Sequence, residues 1–555
     1  AIVVVQNDEP IVNKTFGYAD IEQGYKTDEN TVFEWASCSK ILIWISVMQL
    51  VEEGLIDLNK DIAEYLPQDF NYPTSYEKPI TMMHLMNHTA GFDDSYTDLV
   101  VYNPPLTPTL RQVLEQADII QQFSPGDIVA YSNYGAALAA YIVEVVGGID
   151  YRDYVQNNIL NPLEMNHTSI DPKLNDNLWV RSQRKKIQGY TEDGSLISPN
   201  SFVIPIYPAG SVVGTSTDFA KLLTVLLSKD GKPLFKNEHT INLMFQPTMY
   251  FPKSNIPRLA HGLMYLPSQG KVYGHGGNSL AFSSSLYLDR EKELGVVVMT
   301  NQFGENYYCL GIPELVFGKP ESTISEENLE DSNLWKGIYQ PARMPYHGFS
   351  KLFGLLNRTT VKPQDNFNLV TNNTVFVQQK PGIYLTQDEF SLYSLDVYSN
   401  HNTYGKILSS TNTDLIQIPL WQHVCELSLL VLAIASALFS FSYLLTVLIR
   451  RISTIRKEKK NLNSYILVQN LLNLIIVINV VWLGIKAFSM STYTSLKIHF
   501  QANMIYMFVT VILAVYNLIK NKDFQLSKNQ NLVLFMTVLS SFLIWTNLYY
   551  WEFFH

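Results

Sequence analysis

Ser37 and Lys40 stand three residues apart in FEWASCSK, directly ahead of the apolar run ILIWISVMQLVEEG. On a helix, that spacing puts one side chain a turn above the other on adjoining faces. A serine hydroxyl is a weak nucleophile that needs a neighbouring base, and a desolvated lysine can supply one. The unpaired N–H groups of a first helical turn add donors for a developing negative charge. An S-x-x-K match is weak evidence alone, because any long chain holds several by chance. Two further stretches offer chemistry that would complete it. FSPGDIVAYSNYGAALAAYIVEVVGG sets Tyr131, Ser132 and Asn133 between a proline turn and a helix of small residues. KVYGHGGNSLAFSSSLYLD sets His275, Gly276 and Gly277 on a strand, where glycines permit close approach.

The elements that must hold these residues lie between positions 1 and about 318. Strands occupy the two ends, IVVVQ early and SSSLYLD with LGVVVMTN late, around a mostly helical middle such as DFAKLLTVLLSKDG. That layout predicts one antiparallel sheet shared by both ends, with helices packed on it. The apolar density after Lys40 predicts a buried helix ending at Gly54. An acidic linker, 319–331, contains ESTISEENLED, and residues 332–418 read as a small β-rich module with TVFVQ and GIYLTQ as strands.

From 426 to 551 the composition changes. Four uncharged or nearly uncharged runs, 428–449, 464–485, about 498–519 and 531–551, each approach the ~20 apolar residues that a bilayer-spanning helix needs. RRISTIRKEKK (450–460) separates the first two, and Lys520, Lys522 and Lys528 separate the last two, whereas the middle loop holds little beyond Lys497. Basic loops stay cytoplasmic. The expectation is a multi-pass protein of the cell membrane with its N-terminal part and C-terminus outside, and Trp545, Tyr549, Tyr550 and Trp551 in the outer aromatic belt. Ala1 opens directly into a strand, so a leader is expected to have been removed or to lie outside this numbering. Asn470, Asn473 and Asn479 read as interhelical hydrogen bonders.

A formal charge of −10 argues against a nucleic-acid surface. Three dispersed cysteines, Cys38, Cys309 and Cys425, predict neither a disulfide framework nor a zinc site. No metal or other cofactor is expected, and the oligomeric state is left open.

The three chemical stretches, in this order, together with HLMNHTAGF (84–92), PLEMNHT (162–168) and PAGSVVGTSTDF (208–219), resemble the serine hydrolases that group class C β-lactamases, D,D-carboxypeptidases, D-aminopeptidases and related esterases. The resemblance runs from Ala1 to about Asn301. It implies an α+β fold of the β-lactamase/transpeptidase type, an antiparallel sheet flanked by helices beside an all-helical subdomain. It also implies roles. Ser37 would be the acylated nucleophile, Lys40 its activator, and Tyr131 the group that moves protons to the leaving group and activates the deacylating water. The Lys40 ammonium would favour the Tyr131 phenolate. Asn133 would hold the acyl side of the substrate, Gly277 and His275 would line its strand, and the Ser37 and Asn278 amides would form the oxyanion hole. His88 and His167 read as structural, and Cys38 as packing.

Two departures stand out. His275 replaces the lysine of K-T-G, which weakens the anchor for a substrate carboxylate at neutral pH and predicts a gain as the imidazole protonates near pH 6. Trp35-Ala36 replaces the usual I-G before the serine. The leading expectation is a membrane-anchored, extracytoplasmic serine hydrolase that cleaves an amide or ester in a small-molecule or peptide substrate, of which a D-amino-acid-specific or prodrug-activating peptidase and a cell-envelope esterase are examples. The alternatives are a β-lactam or cell-wall sensor that acylates and deacylates slowly, and then a β-lactamase.

Overall fold

The computed structural model describes the chain except for residues 96–100, 102–107, 199–201, 321–327, 387–393, 454–463, 489–492, 521–526 and 555. Most of the basic segment 450–460, Lys522 and much of the acidic stretch 321–331 therefore lie outside the described residues. Two compact units emerge. One comprises Ala1–Ser95, Leu99–Met344 and Arg358–Gln417, and the other is chiefly Pro345–Asn357 and Ile418–His555.

In the first unit the two ends of the 1–318 region meet in a sheet. Its strands are β1 (Ile2–Gln6), β2 (Glu9–Lys14), β3 (Met249–Tyr250), β4 (Pro257–Ala260), β5 (Leu263–Leu266), β6 (Val272–Asn278), β7 (Ser283–Asp289) and β8 (Leu294–Thr300). The order is β2-β1-β8-β7-β6-β5-β4-β3, antiparallel throughout, with Ile2 opposite Val298. β7 is buried along its whole length. Helix α3 (Ser216–Leu227) packs against β1, β7 and β8, and helices α1 (Lys40–Glu52) and α2 (Asn133–Gly147) pack against each other in the same core. Residues 40–50 of α1 are all buried, as an all-round apolar helix must be. Gly54 follows its end at φ +73°, where a residue without a Cβ reverses the chain cheaply.

The β-rich module of the sequence is a closed barrel: β9 (Gly337–Pro341), β10 (Thr359–Pro363), β11 (Leu369–Thr371), β12 (Thr374–Lys380), β13 (Ile383–Thr386), β14 (Leu395–His401), β15 (Gly405–Ser409) and β16 (Asp414–Ile418). Aromatic side chains, among them Tyr339, Tyr384 and Tyr398, fill its interior with Val361, Leu369 and Leu408. Closure removes the open edges of an eight-stranded sheet. Outward-facing Ile383, Leu385, Leu395 and Val397 bury Phe251 of the first region against the barrel wall.

The second unit contains α4 (Leu420–Ser453), α5 (Ser464–Phe488), α6 (Tyr493–Lys520) and α7 (Lys528–Tyr550), each long and apolar enough to cross a membrane. Their faces are joined by buried amides, as the asparagines foretold. Asn470 donates to Thr537 at 2.7 Å, Asn473 to Ser440 at 3.2 Å, and Asn479 to Asn503 at 2.9 Å.

Candidate active site

The turn that carries Ser37 is built under strain. Trp35 is buried and stacks on Phe219, with ring centroids 3.8 Å apart, and its N–H donates to the Val212 carbonyl at 2.8 Å. Ala36 follows at φ +47°, a left-handed conformation that costs a Cβ-bearing residue roughly 1–2 kcal/mol. This accounts for the glycine that the resemblance leads one to expect there. A 3₁₀ turn, Ala36–Ser39, then leads into α1.

Lys40 is fully buried, and its Nζ donates to Ser37 Oγ at 3.2 Å and to the Ala209 carbonyl at 2.6 Å. Ala209 belongs to the PAGS stretch, so that motif supplies the acceptor that aims the lysine. Nζ also lies 4.9 Å from the centroid of the Tyr131 ring. Tyr131 is buried at the end of an extended segment, and its hydroxyl forms no hydrogen bond among the described residues although it faces Ser37. Ser132 caps α2 by accepting from the Gly135 N–H at 3.0 Å, and Asn133 is the half-buried first residue of that helix rather than part of a loop.

Burial reverses one expectation. Desolvation, reinforced by the Arg343 charge, holds the Lys40 ammonium well below its usual range. Desolvation also pushes the Tyr131 phenol up, against the pull of Arg343. Both shifts work against an ammonium–phenolate pair, because the cost of removing both charges from water opposes their attraction.

β6 runs beside Ser37. A Cβ at Gly277 would lie 2.3 Å from the Trp35 carbonyl oxygen and 3.0 Å from the Ser37 amide nitrogen, whereas one at Gly276 would meet nothing nearer than 3.9 Å. Gly277 thus lets the strand approach the nucleophile turn itself. That contact brings the Ser37 amide next to β6, whose last residue is the exposed Asn278. The Asn278 side chain accepts from the Ser283 hydroxyl at 2.7 Å. Cys38 packs as expected, donating to the His275 carbonyl at 3.1 Å, and burial raises its thiol to about 12.

His275 departs from its expected behaviour. It is buried, its Nδ1 lies 2.5 Å from the Gly276 carbonyl, and burial with the nearby Lys40 lowers its pKa to about 3. It stays neutral from pH 8 to pH 6, so the anticipated gain on acidification has no proton to drive it. His88 sits at φ +53°, accepts from the Ser132 N–H at 3.2 Å, and places its ring 4.3 Å from that of Tyr131. His167 stacks on Trp179 at 4.0 Å and lies outside this cluster.

The barrel also reaches the site. Val129 N–H donates to Asp414 at 2.8 Å, Asp414 N–H returns to the Val129 carbonyl at 2.7 Å, and Tyr131 N–H donates to the Asn412 carbonyl at 3.2 Å. Arg258 of β4 lies 2.9 Å from Asp414 with both side chains buried, a charge pairing whose N–H is not aligned for a hydrogen bond. Just past β9, Arg343 pairs with Asp94 at 3.0 Å and sets its guanidinium 4.6 Å from the Tyr131 ring centroid. Neither Arg343 nor Asp414 carries a signal in the sequence, since each is a lone charge far from the motifs it serves. Among the described residues no cluster of histidine, cysteine, aspartate and glutamate could hold a metal ion.

An antiparallel sheet flanked by helices, with serine and lysine at the start of a buried helix, is the arrangement of the β-lactamase/transpeptidase-type serine hydrolases. The profile of the Beta-lactamase family matches residues 1–311, and the chain belongs to that family. Protein flp of Staphylococcus aureus (strain MRSA252) is 28% identical over 324 residues, 57% of this chain and 61% of that protein. The chain thus spans about three-fifths of the length of that relative. Penicillin-binding protein 4* of Bacillus subtilis (strain 168) is 22% identical over 58% of this chain and 72% of its own. Among solved structures, SurE superposes with a TM-score of 0.50 at 18% identity, covering 75% of this chain and 94% of SurE, a likeness of fold.

Proposed function

We propose that the chain is a membrane-anchored serine hydrolase that cleaves an amide or ester outside the cytoplasm through an acyl-enzyme on Ser37. The observation that carries this reading is the 3.2 Å contact from a fully buried Lys40 to the Ser37 hydroxyl. Neutral Lys40 takes the Ser37 proton as Oγ attacks the scissile carbonyl. Tyr131, protonated at rest, passes a proton to the departing amine or alcohol and is recharged from Lys40. The Ser37 and Asn278 amides stabilise the oxyanion, and Asn133 at the start of α2 holds the acyl side. Water, deprotonated by the same pair, then releases the acid.

Membrane anchoring rests on the four apolar helices, and the outward orientation on the basic segments between them. A neutral His275 offers no anchor to a carboxylate, which favours amides, amino esters or acyl peptides that lack one at that strand. The test is labelling with a fluorophosphonate, whose mass is expected on the Ser37 peptide. Wild-type labelling of Ser37→Ala would overturn the mechanism. A panel of acyl-D- and acyl-L-amino-acid amides, esters and β-lactams then sorts the substrate class.

A further inference from the structure

We propose that Arg343, delivered by the barrel, is a positioning residue of the Lys40–Tyr131 pair, so that the barrel completes the active site. This rests on the acyl-enzyme reading above and adds to it a part for a module that the sequence leaves outside the chemistry.

Two separate barrel segments converge on Tyr131. The 410–414 turn holds its backbone, through the Tyr131 N–H to the Asn412 carbonyl at 3.2 Å and the paired bonds between Val129 and Asp414. The segment after β9 brings a cation to its ring face, 4.6 Å from the centroid. Asp94, itself buried, fixes that cation from the other side at 3.0 Å, and its own N–H donates to the Met344 carbonyl at 3.2 Å. Arg343 is thereby tied to the site by side chain and backbone alike.

The other titratable groups acting on Tyr131 are Lys40, His88, His275, Cys38 and the Asp94 carboxylate, whose charge opposes that of Arg343. Burial keeps both imidazoles neutral and the thiol protonated. A guanidinium stays charged throughout the working range, so it is the fixed cation of this cluster. A fixed cation beside two groups that share protons favours the loss of one from the pair. Its presence keeps Lys40 competent as a base at neutral pH, and it also favours the phenolate that forms when Tyr131 gives up its proton.

The experiment follows Ser37 acylation by a neutral fluorophosphonate in the full-length chain in detergent, from pH 5 to pH 10. The probe carries no carboxylate, so an altered substrate anchor does not move the profile. Arg343→Met is expected to shift the acid limb upward by about one pH unit, roughly tenfold slower labelling on that limb, with the alkaline plateau kept. Arg343→Lys is expected to restore the limb. An unshifted limb in Arg343→Met, or a shift that Arg343→Lys leaves in place, overturns the proposal. If Arg343→Met does not fold, Arg343→Gln is read in the same way. Labelling that persists in Ser37→Ala would instead remove the acyl-enzyme reading, so the two failures are distinct.

Discussion

In the proposed mechanism the chemistry falls to Ser37, Lys40 and Tyr131, beside a strained backbone position at Ala36. With Lys40 held below its usual range by burial and 3.2 Å from Ser37 Oγ, Lys40→Ala and Tyr131→Phe are each expected to lower turnover at least about a hundredfold, the scale of general-base loss. Steady-state rates on any substrate found in the panel check this. Ala36 at φ +47° predicts that Ala36→Gly retains Ser37 labelling, whereas Ala36→Val, β-branched in the left-handed region, abolishes it. His275, lowered to about 3, predicts that kcat/KM for a carboxylate-bearing β-lactam shows no histidine titration between pH 8 and pH 6. A wild-type titration near pH 6.5 that disappears in His275→Gln would refute the burial argument.

Between elements, the decisive contact is the one joining the 128–131 segment to the barrel turn. Arg258→Met leaves Asp414 buried without its counter-ion, and the expected cost is about 3 kcal/mol, read as a lowered Tm with slower Ser37 labelling. Inside the barrel, Asp396 lies opposite Tyr384, and burial raises its carboxyl to about 7 from 3.8. The folded state therefore holds a proton that the unfolded chain releases. Stability is full below about pH 4, falls as pH rises to about 7, and is flat above, a difference of about 4 kcal/mol. Asp396→Asn is expected to raise Tm at pH 8 and leave it unchanged at pH 4. A Tm gain equal at both pH values would show that the carboxyl is ionised throughout.

For the whole molecule, one chain carries the N-terminal region matched by the hydrolase family and a C-terminal set of four apolar helices. Protease added to intact cells or spheroplasts is expected to remove the hydrolase region and spare a tag inserted near Lys457. Protection of the N-terminal region would reverse the orientation read from the basic segments.

Local chemistry and period were enough to recognise much of this protein. The Ser37–Lys40 spacing, the small-residue helix after Tyr131, the Gly277 strand, the sheet shared by both ends of the 1–318 region and the four apolar runs are written in short stretches, where steric and hydrophobic rules act over a few residues. What the sequence could not state depends on burial and on distant approach. The protonation of Lys40 and Tyr131 follows from how completely both are removed from water, and neutral His275 follows from the same cause. Asn412 and Arg343 reach Tyr131 from positions 281 and 212 residues further along the chain. Only closure of the barrel against the hydrolase region brings them there, because a long-range contact leaves no periodic trace in the chain that makes it.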